Sequence, residues 1–417
     1  MPKGRVLLLY HFFHPDDVVS AQHFSDLALG LSARGWQVTA LTSDRSCRDP
    51  GRRYSKREDW NGIDIVRVHR PGWDQSRAVT RLLNSAWMVI AWFFRSLTLG
   101  SFDAVVVGTD PAFAPLLLLP LRIVRPATAF VVWSFDLYPE AIASEGMGRG
   151  ASVLVPVAKW LMGLAYRCCQ LLVDLGPRMK ARLAGYGSGA RQETLVPWAL
   201  VEPGRVEAPA PAVRAELFPR GKLALLYSGT MGRAHEYELL LRLARRCRDR
   251  SGDDISICFA CRGNRVRDLR DAVRPDDTNV HFAPFADVSE LGARLTSADL
   301  HLLSLRPEWA GVVVPSKFFG SLAVGRPVLY AGPRDSEIAV WIQQHDVGLV
   351  LTEENLDEVV DVLHDIQREP ARLERWRQNA LRAYRQVFAK SVSLDLWDRL
   401  LGDVATRSAP TPVVTQR

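Results

Sequence analysis

The sequence predicts an α/β protein with two Rossmann-like domains that face a central cleft. Its length of 417 residues suits two domains, each large enough to bury its own core. Short apolar runs alternate with segments of helical length in both halves, which is typical of mostly parallel sheets covered by helices. A stretch rich in proline and alanine separates the halves, so we expect one sheet on either side of it.

The first half opens as a β-α-β unit. Residues 6–10 form an apolar run, a helical pattern of apolar residues leads to Gly35, which suits a helix end, and residues 38–41 provide the next strand. The apolar residues of the helix are Phe24, Leu27, Ala28 and Leu31. Further apolar runs, each a predicted strand, cover residues 63–68, 104–107, 129–133, 171–173 and 195–196.

Four prolines within residues 201–220 mark the predicted linker. The boundaries that we predict are an N-terminal domain over residues 1–202, a linker over 203–220 and a C-terminal domain over 221–385. A helix over 386–405 is expected to pack back toward the N-terminal domain, before a disordered tail over 406–417. In the second half, the predicted strands cover residues 223–227, 255–260, 280–282, 300–304, 328–331 and 349–351.

The charge of the chain favours anionic partners. Its formal net charge is +7 and its pI about 9.2, so nucleotide diphosphates, anionic lipid surfaces and nucleic acid are all candidates. Nucleic acid is disfavoured, because the sequence has no zinc-finger spacing, no aromatic single-strand-binding motif and no basic tail. Six cysteines lack a disulfide-framework spacing and the first apolar run is too short for a signal peptide, so we expect a cytoplasmic protein.

A candidate phosphate site opens the second half, directly after the predicted strand that ends at Tyr227. Glycines in this position let backbone N–H groups approach a phosphate, and the positive end of a following helix adds to the attraction. Arg233 would add a cation beside a departing diphosphate. A tight turn that binds no ligand explains the same residues equally well. The loop consists of Ser228, Gly229, Thr230, Met231, Gly232 and Arg233.

A second candidate loop precedes another short helix. Ser316 is expected to cap this helix, whose free N–H groups would point into the cleft together with the amine of Lys317. Gly325 ends the helix before a strand that begins at Val328. On capping rules alone, the segment is no more than a well-formed helix. From Val314 its sequence is V-P-S-K-F-F-G-S-L-A-V-G-R-P-V.

This segment resembles the donor-binding segment of bacterial glycosyltransferases of family 4. The resemblance rests on P-S-K, an apolar helix and L-A-x-G-R-P-V, and other matches follow in order along nearly the whole chain. Residues 133–140 are similar to the D-L-W-P-E motif of the family. The remaining matches are Arg34-Gly35-Trp36-Gln37-Val38, Tyr227-Ser228-Gly229, Asn279-Val280-His281-Phe282, Ala298-Asp299-Leu300 and Ser336-Glu337-Ile338-Ala339.

The resemblance implies the GT-B fold and a retaining glycosyltransferase. It places a nucleotide-sugar donor, which we expect to be UDP-linked, on the C-terminal domain. The acceptor, a lipid-linked or growing glycan, belongs on the N-terminal domain. The residues that we assign to donor binding are Ser228, Gly229, Thr230, Met231, Gly232, Arg262, Gly263, Phe285, Pro315, Ser316 and Phe318.

The ribose-binding position departs from the family pattern. Many members hold the ribose with the second glutamate of an E-x7-E motif, whose two positions correspond here to Val312 and Gly320. Ribose recognition must therefore differ in this chain. Glu308, in the loop before the P-S-K segment, is our candidate for a substitute carboxylate near the sugar, and we include it among the catalytic residues.

The cations around the leaving diphosphate also depart from the pattern. The arginine and lysine that often follow the first glycine turn correspond to Thr230 and, roughly, His235. We therefore assign stabilisation of the departing diphosphate to Arg233 and Lys317. Stabilising this leaving group is the main catalytic task in this chemistry. Backbone N–H groups and two cations can do this without a metal, and no D-x-D motif ends a strand. We expect neither a metal nor another cofactor.

The acceptor side is expected around the ends of the strands of the first half. Asp136, just past the predicted strand over 129–133, could accept the proton of an acceptor hydroxyl, or it could cap the next helix. Glu140 ends the same motif and is assigned to the acceptor side. His11 and His14 follow the first strand and are acceptor-side candidates. No carboxylate stands at a fixed spacing from them, so hydrogen-bonded loop histidines are the alternative.

The segment that begins at Val79 and ends at Leu99 is a candidate membrane contact. Aromatic and aliphatic residues together with Arg77, Arg81 and Arg95 are typical of an interfacial helix. The segment is too interrupted for a transmembrane span, and a buried core helix is the alternative. The apolar residues expected at the interface are Leu82, Leu83, Trp87, Met88, Val89, Ile90, Trp92, Phe93, Phe94 and Leu97.

Taken together, these patterns predict a retaining hexosyltransferase of cell-surface polysaccharide biosynthesis. We expect it at the cytoplasmic side of the cell membrane, as a peripheral protein that does not bind nucleic acid. One alternative is a sugar-nucleotide epimerase on the same fold, which would need no acceptor surface. Another is a catalytically silent membrane partner that only binds sugar nucleotides, which the missing ribose-binding glutamate keeps open.

Overall fold

The computed structural model of the chain describes residues 2–74, 77–145, 151–203 and 208–408. The chain folds into two compact units. Met1–Val196 combine with the residues from Ser393 on, and Pro197–Val392 form the second unit. In each unit, helices connect the strands of a largely parallel sheet. The predicted α/β class is confirmed.

Among the described residues, the first unit contains a sheet of eight strands. They are β1 (Gly4–Leu9), β2 (Trp36–Ser43), β3 (Arg57–Trp60), β4 (Ile63–Val68), β5 (Ala104–Gly108), β6 (Ala129–Trp133), β7 (Leu171–Asp174) and β8 (Arg191–Thr194). Their order is β3-β4-β2-β1-β5-β6-β7-β8, and only β3 is antiparallel to its neighbour. β3 was not predicted because its sequence, R-E-D-W, contains no apolar run. β8 ends before the apolar residues 195–196, which were wrongly predicted as a strand.

Helices connect the strands of this unit. α1 buries the four predicted apolar residues and ends just before Gly35, whose φ of +91° suits glycine. Both the helix and its end are therefore confirmed. The helices are α1 (Val19–Ala33), α2 (Ala78–Leu97), α3 (Leu118–Val124), α4 (Glu140–Ser144), α5 (Ala151–Arg167) and α6 (Pro177–Ala184).

The described part of the second unit contains a six-stranded parallel sheet. Its strands are β9 (Leu223–Thr230), β10 (Ile255–Arg262), β11 (Val280–Phe282), β12 (Leu300–Ser304), β13 (Val328–Ala331) and β14 (Gly348–Leu351). The order is β11-β10-β9-β12-β13-β14. β9 continues three residues beyond its predicted end at Tyr227, because Ser228, Gly229 and Thr230 stay in register with β10.

The helices of the second unit follow the same alternation. α8 illustrates why they form, since its leucines lie on the buried side and its arginines on the other side. The helices are α7 (Pro211–Leu217), α8 (Glu238–Ser251), α9 (Val266–Ala272), α10 (Val288–Thr296), α11 (Lys317–Ala323), α12 (Glu337–His345), α13 (Leu356–Arg368) and α14 (Ala371–Ala383).

The predicted linker contains structure of its own. α7 lies within residues 203–220, and its Arg214 donates from Nη2 to Asp299 at 2.8 Å. Arg214 also donates from Nη1 to the carbonyl oxygen of Ser297 at 2.8 Å. Because these partners belong to the second unit, the described part of this segment is packed on that unit. Residues 204–207 of the predicted linker lie outside the described residues.

A last helix, α15 (Lys390–Ser408), packs on the first unit. The indole Nε1 of Trp36 donates to Asp398 at 2.8 Å, and the ring centres of Trp133 and Trp397 lie 5.0 Å apart. α15 continues past residue 405, where the disordered tail was predicted, and Thr406 still donates to the carbonyl oxygen of Gly402 within the helix. The rest of the predicted tail, residues 409–417, lies outside the described residues.

Candidate functional site

The amine of Lys317 lies at the end of β9. Its Nζ donates to the carbonyl oxygen of Thr230 at 2.9 Å and to Nε2 of His235 at 3.2 Å, and it lies 4.9 Å from the ring centre of Tyr227. Nδ1 of His235 lies 3.0 Å from the carbonyl oxygen of Ser304 and donates to it, which leaves Nε2 as an acceptor. Burial lowers the pKa of Lys317 to about 7.

Lys317 reaches this position because residue 229 has no side chain. Gly229 has a φ of +132°, and a Cβ atom there would lie 2.6 Å from Cε of Lys317. The turn after β10 is similar: a Cβ atom on Gly263 would lie 2.4 Å from the carbonyl oxygen of Met231. The backbone N–H of Met231 donates to the carbonyl oxygen of Arg262 at 2.7 Å. Close backbone approach therefore gathers these predicted donor residues beside Lys317.

The helix end predicted to attract the phosphate is already occupied. α8 begins only at Glu238, and its first N–H groups, those of Glu238 and Leu239, donate to Oε1 of Glu236 at 2.6 and 3.3 Å. A carboxylate of the chain thus takes the position that a phosphate would need. The prediction of a helix N-terminus at the first glycine loop is wrong for this reason, and the amine of Lys317 is the group that contacts this loop at Thr230.

Ser316 does not cap α11 through its side chain. Its own backbone is helical, with φ of −62° and ψ of −18°. The backbone N–H groups of Phe318 and Phe319 donate to the carbonyl oxygens of Pro315 and Ser316 at 3.2 Å each, so the tight turn starts one residue earlier than predicted. The predicted cap is therefore wrong, because a capping side chain requires an extended backbone at its own position.

Three predicted donor residues bury their side chains. Met231 and Phe318 are 0% exposed, and Pro315 is buried as well. The ring of Phe318 packs against Trp341 and Phe388, each with its ring centre 5.6 Å away. These side chains build the core of the second unit. In any donor complex, Met231, Phe318 and Pro315 would act through their backbone atoms.

Other predicted donor residues lie at the surface. The guanidinium of Arg262 lies 3.9 Å from the ring centre of Phe285, so the structure brings these two together. Phe285 remains 39% exposed. Arg233 is exposed in the turn after β9. Glu308 is exposed too, and it forms an ion pair of 2.9 Å with Arg306.

Several residues of the family-like motifs hold the fold. Arg326 is buried and donates from Nη2 to the carbonyl oxygen of Thr296 at 2.8 Å. Asp299 accepts from Arg214 at 2.8 Å and from Arg377 at 2.6 Å. These motif residues therefore fix the strands and helices behind the site, and their side chains are engaged within the protein.

In the first unit, three neighbouring strands end at polar side chains. β1, β5 and β6 are adjacent and parallel, so the residues that follow them meet at one edge of the sheet. These residues are His11, Asp110 and Asp136. Nδ1 of His11 lies 3.0 Å from Oδ1 of Asp110, which stands 99 residues away in the sequence. Asp110 was not predicted, although an aspartate three residues after the predicted strand over 104–107 was a usable signal.

The carboxyl group of Asp136 is strongly perturbed. Burial and the charge of Asp110 raise the pKa of Asp136 to about 7. Its loop is fixed by Thr109, whose hydroxyl accepts from the backbone N–H groups of Phe135 and Asp136 at 3.1 Å each. Within the described ranges, no three His, Cys, Asp or Glu side chains are placed to hold a metal ion together.

His14 lies apart from His11. Its ring stacks on Trp60 of β3 with 4.0 Å between ring centres and 11° between planes. Its backbone N–H donates to the hydroxyl of Ser25 at 3.1 Å. The structure therefore pairs His11 with a carboxylate and His14 with an aromatic ring. Only His11 joins the group at the ends of the central strands.

Glu140 lines a separate pocket of about 320 Å³ in the first unit. Its carboxylate accepts from the hydroxyl of Tyr186 at 2.8 and 3.0 Å, and it lies 3.4 Å from Nζ of Lys159. Arg167 and Arg182 line the same pocket. The predicted acceptor-side glutamate is therefore part of a pocket with one carboxylate and three cations.

α2 exposes apolar residues and buries polar ones. Asn84, Ser85 and Ser96 are at most 6% exposed. Met88 and Trp92 are both 0% exposed and lie one turn apart on the inner side of the helix, so the prediction that these two residues contact a membrane is wrong. The exposed apolar residues of α2 are Val79, Leu82, Leu83, Trp87, Ile90, Phe94 and Leu97.

α3 and α5 extend this exposed apolar surface. The three helices contact one another directly or through the short turn Ala114–Leu117, and none contains an acidic residue. In the described part of the chain, no helix is long and apolar enough to cross a membrane. We call the exposed apolar residues of α2, α3 and α5 the apolar face; beyond those of α2 it includes Ile123, Val124, Leu154, Val157 and Trp160.

Comparison with known sequences finds a family model that matches part of the chain. Residues 20–199 match the glycosyl transferase 4-like domain. A probable glycosyltransferase, WbjE of Pseudomonas aeruginosa, is 24% identical over 254 residues. That alignment spans 59% of this chain and 61% of the relative, so the chain covers less than two thirds of the relative's length. The predicted resemblance to family 4 glycosyltransferases is confirmed.

Solved structures share the fold over nearly the whole chain. Sucrose-phosphate synthase from Thermosynechococcus elongatus is 13% identical with a TM-score of 0.74, and the match covers 97% of this chain and 99% of that protein. WaaG, a glycosyltransferase involved in lipopolysaccharide biosynthesis, is 14% identical with a TM-score of 0.62, covering 95% and 99%. HepE from Anabaena, solved in complex with UDP, is 11% identical with a TM-score of 0.63, covering 96% and 100%. The predicted GT-B fold is confirmed.

Proposed function

We propose that this chain, a GT-B protein with a glycosyl transferase 4-like domain over residues 20–199, transfers a sugar from a nucleotide-sugar donor to a lipid-linked or growing glycan acceptor. The donor belongs to the second unit and the acceptor to the first. We further propose a UDP-linked hexose donor and retention of configuration at the anomeric carbon, within cell-surface polysaccharide biosynthesis at the inner face of the membrane.

The position of Lys317 carries this proposal. The amine of Lys317, with a pKa near 7, is held against the Gly229 turn and gains its full charge when a diphosphate binds. A cation held at the leaving group stabilises the negative charge that develops there in the transition state. Arg233 adds a second cation from the same loop. Arg262 and the exposed ring of Phe285 offer a flat surface that suits the nucleotide base.

The first unit supplies the group that takes the proton. In the proposed reaction, the acceptor hydroxyl forms a bond to the anomeric carbon on the face that the diphosphate leaves. The bond to the diphosphate oxygen breaks with its electron pair, and the hydroxyl proton passes to Asp136. A carboxylate with a pKa near 7 is well matched to this task at neutral pH. Asp110, held by His11, acts on Asp136 through its charge.

Nucleotide release from a panel of UDP- and GDP-sugars tests the proposal. We expect one donor to give release that increases when a lipid extract of bacterial membranes is added. Tight binding of a nucleotide sugar without any release, with and without lipid, would instead favour a silent binding partner. Interconversion of two nucleotide sugars without release would favour the epimerase.

Membrane contact through α2 is the second part of the proposal. Arg77, Arg81 and Arg95 would attract anionic headgroups, each contributing about 1 kcal/mol near the surface. The exposed aromatics Trp87 and Phe94 would enter the acyl boundary, where burial of each contributes about 1.5 kcal/mol or more. Both contributions can be separated, because only the first is screened by salt.

Flotation with anionic liposomes tests this contact. Replacing Trp87 and Phe94 with serine should weaken binding at least about tenfold at low salt with the circular dichroism spectrum unchanged, because both rings are exposed. Trp92→Ser is the matched control and should destabilise the fold, since this ring is buried. A folded Trp87 and Phe94 double variant that floats like the wild type would end the membrane claim for α2.

A further inference from the structure

The pocket around Glu140 has the composition of an anion site. Three cations, Lys159, Arg167 and Arg182, line it together with one carboxylate. That carboxylate is buried and already engaged by the hydroxyl of Tyr186 and the amine of Lys159. The charge balance of the lining residues is therefore positive, and both guanidinium groups can supply the paired donors that phosphate oxygens accept.

The pocket opens beside the apolar face. Trp160 and Leu164 line it, and both lie on α5. One and two turns toward the start of the helix, Val157 and Leu154 continue the same side of α5 and are 53% and 69% exposed. A ligand seated in the pocket would thus have its charged end among cations and an apolar surface immediately next to it.

The pocket is linked to the loop that carries Asp136. Glu140 is the first residue of α4, which follows that loop directly. Tyr138, between them, is close enough to Asp136 and to Arg81 of α2 for both charges to act on its hydroxyl. Asp136, the pocket and the apolar face are therefore built from adjoining segments of the first unit.

We propose that this pocket binds the phosphate or diphosphate headgroup of a lipid acceptor, whose hydrocarbon chain lies along the apolar face of α5. This assignment rests on the proposed function, and it names the acceptor as a polyprenyl-type phosphate or diphosphate carrying a sugar. Arg167 and Arg182 hold the headgroup, and Lys159 holds Glu140 in place. A neutral glycan without a lipid would contact neither the guanidinium groups of Arg167 and Arg182 nor the apolar face.

Vesicle binding of the full chain tests the proposal directly. The probes are phosphatidylcholine vesicles that contain a long-chain polyprenyl diphosphate, the corresponding uncharged polyprenol, or phosphatidylglycerol at equal charge. We expect the diphosphate vesicles to bind most tightly. Arg167→Gln and Arg182→Gln should each weaken this binding about tenfold, and together about a hundredfold. Arg53→Gln removes an exposed charge elsewhere on the same unit and is the matched control.

A variant of Glu140 should change the binding of diphosphate vesicles in the opposite direction. Glu140→Gln preserves the shape of the side chain and its acceptor oxygen for Tyr186 but removes the negative charge, so binding of the diphosphate vesicles should become stronger. Inorganic diphosphate should compete with the vesicles for the wild-type protein. If circular dichroism shows that the double arginine variant does not fold, the binding of Glu140→Gln and the competition by inorganic diphosphate still test whether the pocket binds the headgroup.

Three results would overturn the proposal. One is equal loss of binding by the double arginine variant on diphosphate and on phosphatidylglycerol vesicles, which would indicate general attraction to anionic surfaces. The second is a double variant that binds diphosphate vesicles as well as Arg53→Gln. The third is weaker binding by Glu140→Gln. Failure of the proposed function can be distinguished from failure of the headgroup pocket. If only the proposed function fails, the wild-type protein releases no nucleotide but still binds the diphosphate vesicles.

Discussion

Lys317→Met should remove the pH dependence of nucleotide diphosphate binding. Methionine has nearly the length of lysine but carries no charge, and it cannot donate to Thr230 or His235. Without the cation at the leaving group, turnover should fall by about two orders of magnitude, the usual effect of losing one such contact. The fold should survive, because the polar partners of the amine belong to a turn that remains partly exposed.

The size of the pH effect follows from the pKa of Lys317. Burial lowers this pKa from its usual value near 10.5 to about 7, so the free protein holds the amine charged below pH 7 and mostly neutral above it. A bound diphosphate restores the charged form. Affinity should therefore be highest below pH 7 and fall about tenfold per pH unit above it. At pH 8, binding should take up about 0.9 proton.

Calorimetry of UDP binding in two buffers with different heats of ionisation measures that proton. Wild-type protein should take it up at pH 8, and Lys317→Met should not. Lys222→Met, an exposed lysine at the start of β9 that pairs with Asp254, is the matched control and should behave as wild type. The assignment of Lys317 to the diphosphate would be refuted by either of two results. One is proton uptake by Lys317→Met equal to that of the wild type, and the other is a wild-type affinity for UDP that does not change between pH 7 and pH 9.

Substitutions of Asp136, Asp110 and Gly229 should each affect properties of the protein that can be measured separately. Asp136→Asn should lower transfer about a hundredfold or more while calorimetry finds UDP affinity unchanged, because its role lies on the acceptor side; a parallel loss of UDP binding would contradict this. Asp110→Asn should shift the acid limb of the pH–rate profile to lower pH, because the charge that raises the pKa of Asp136 is gone; an unmoved limb would exclude the coupling. Gly229→Ala should lower the thermal midpoint and weaken UDP binding, because its Cβ atom would collide with the side chain of Lys317. The φ of +132° at this position also strains alanine by about 1 to 3 kcal/mol. A variant as stable as the wild type would contradict the close approach of Lys317 to residue 229.

The order of strands and helices could be predicted because it depends on local patterns. Apolar runs mark the buried parallel strands, and the pattern of α1 with Gly35 fixes both its face and its end. β3 was missed because an edge strand needs no apolar run. The residues beyond Tyr227 extend β9 because β10 pairs with them, and this pairing cannot be inferred from the first strand alone.

The candidate site was less predictable because it depends on contacts between distant segments. His11 and Asp110 stand 99 residues apart, and only the order of β1 and β5 makes them neighbours. Glu236 fills the helix end where a phosphate was expected, which depends on where α8 begins. Likewise, the aromatic and aliphatic residues of the segment from Val79 to Leu99 indicated an apolar helix but could not tell that Trp92 lies on its buried side.

The transfer of labelled sugar into lipid tests the central claim most directly. The protein would be incubated with a nucleotide sugar labelled in its sugar and with a membrane lipid extract, and the organic phase would then be counted. We expect label in the lipid fraction for wild-type protein and about a hundredfold less for Lys317→Ala. Label that stays entirely on the nucleotide, with every donor tried and lipid present, would contradict this expectation.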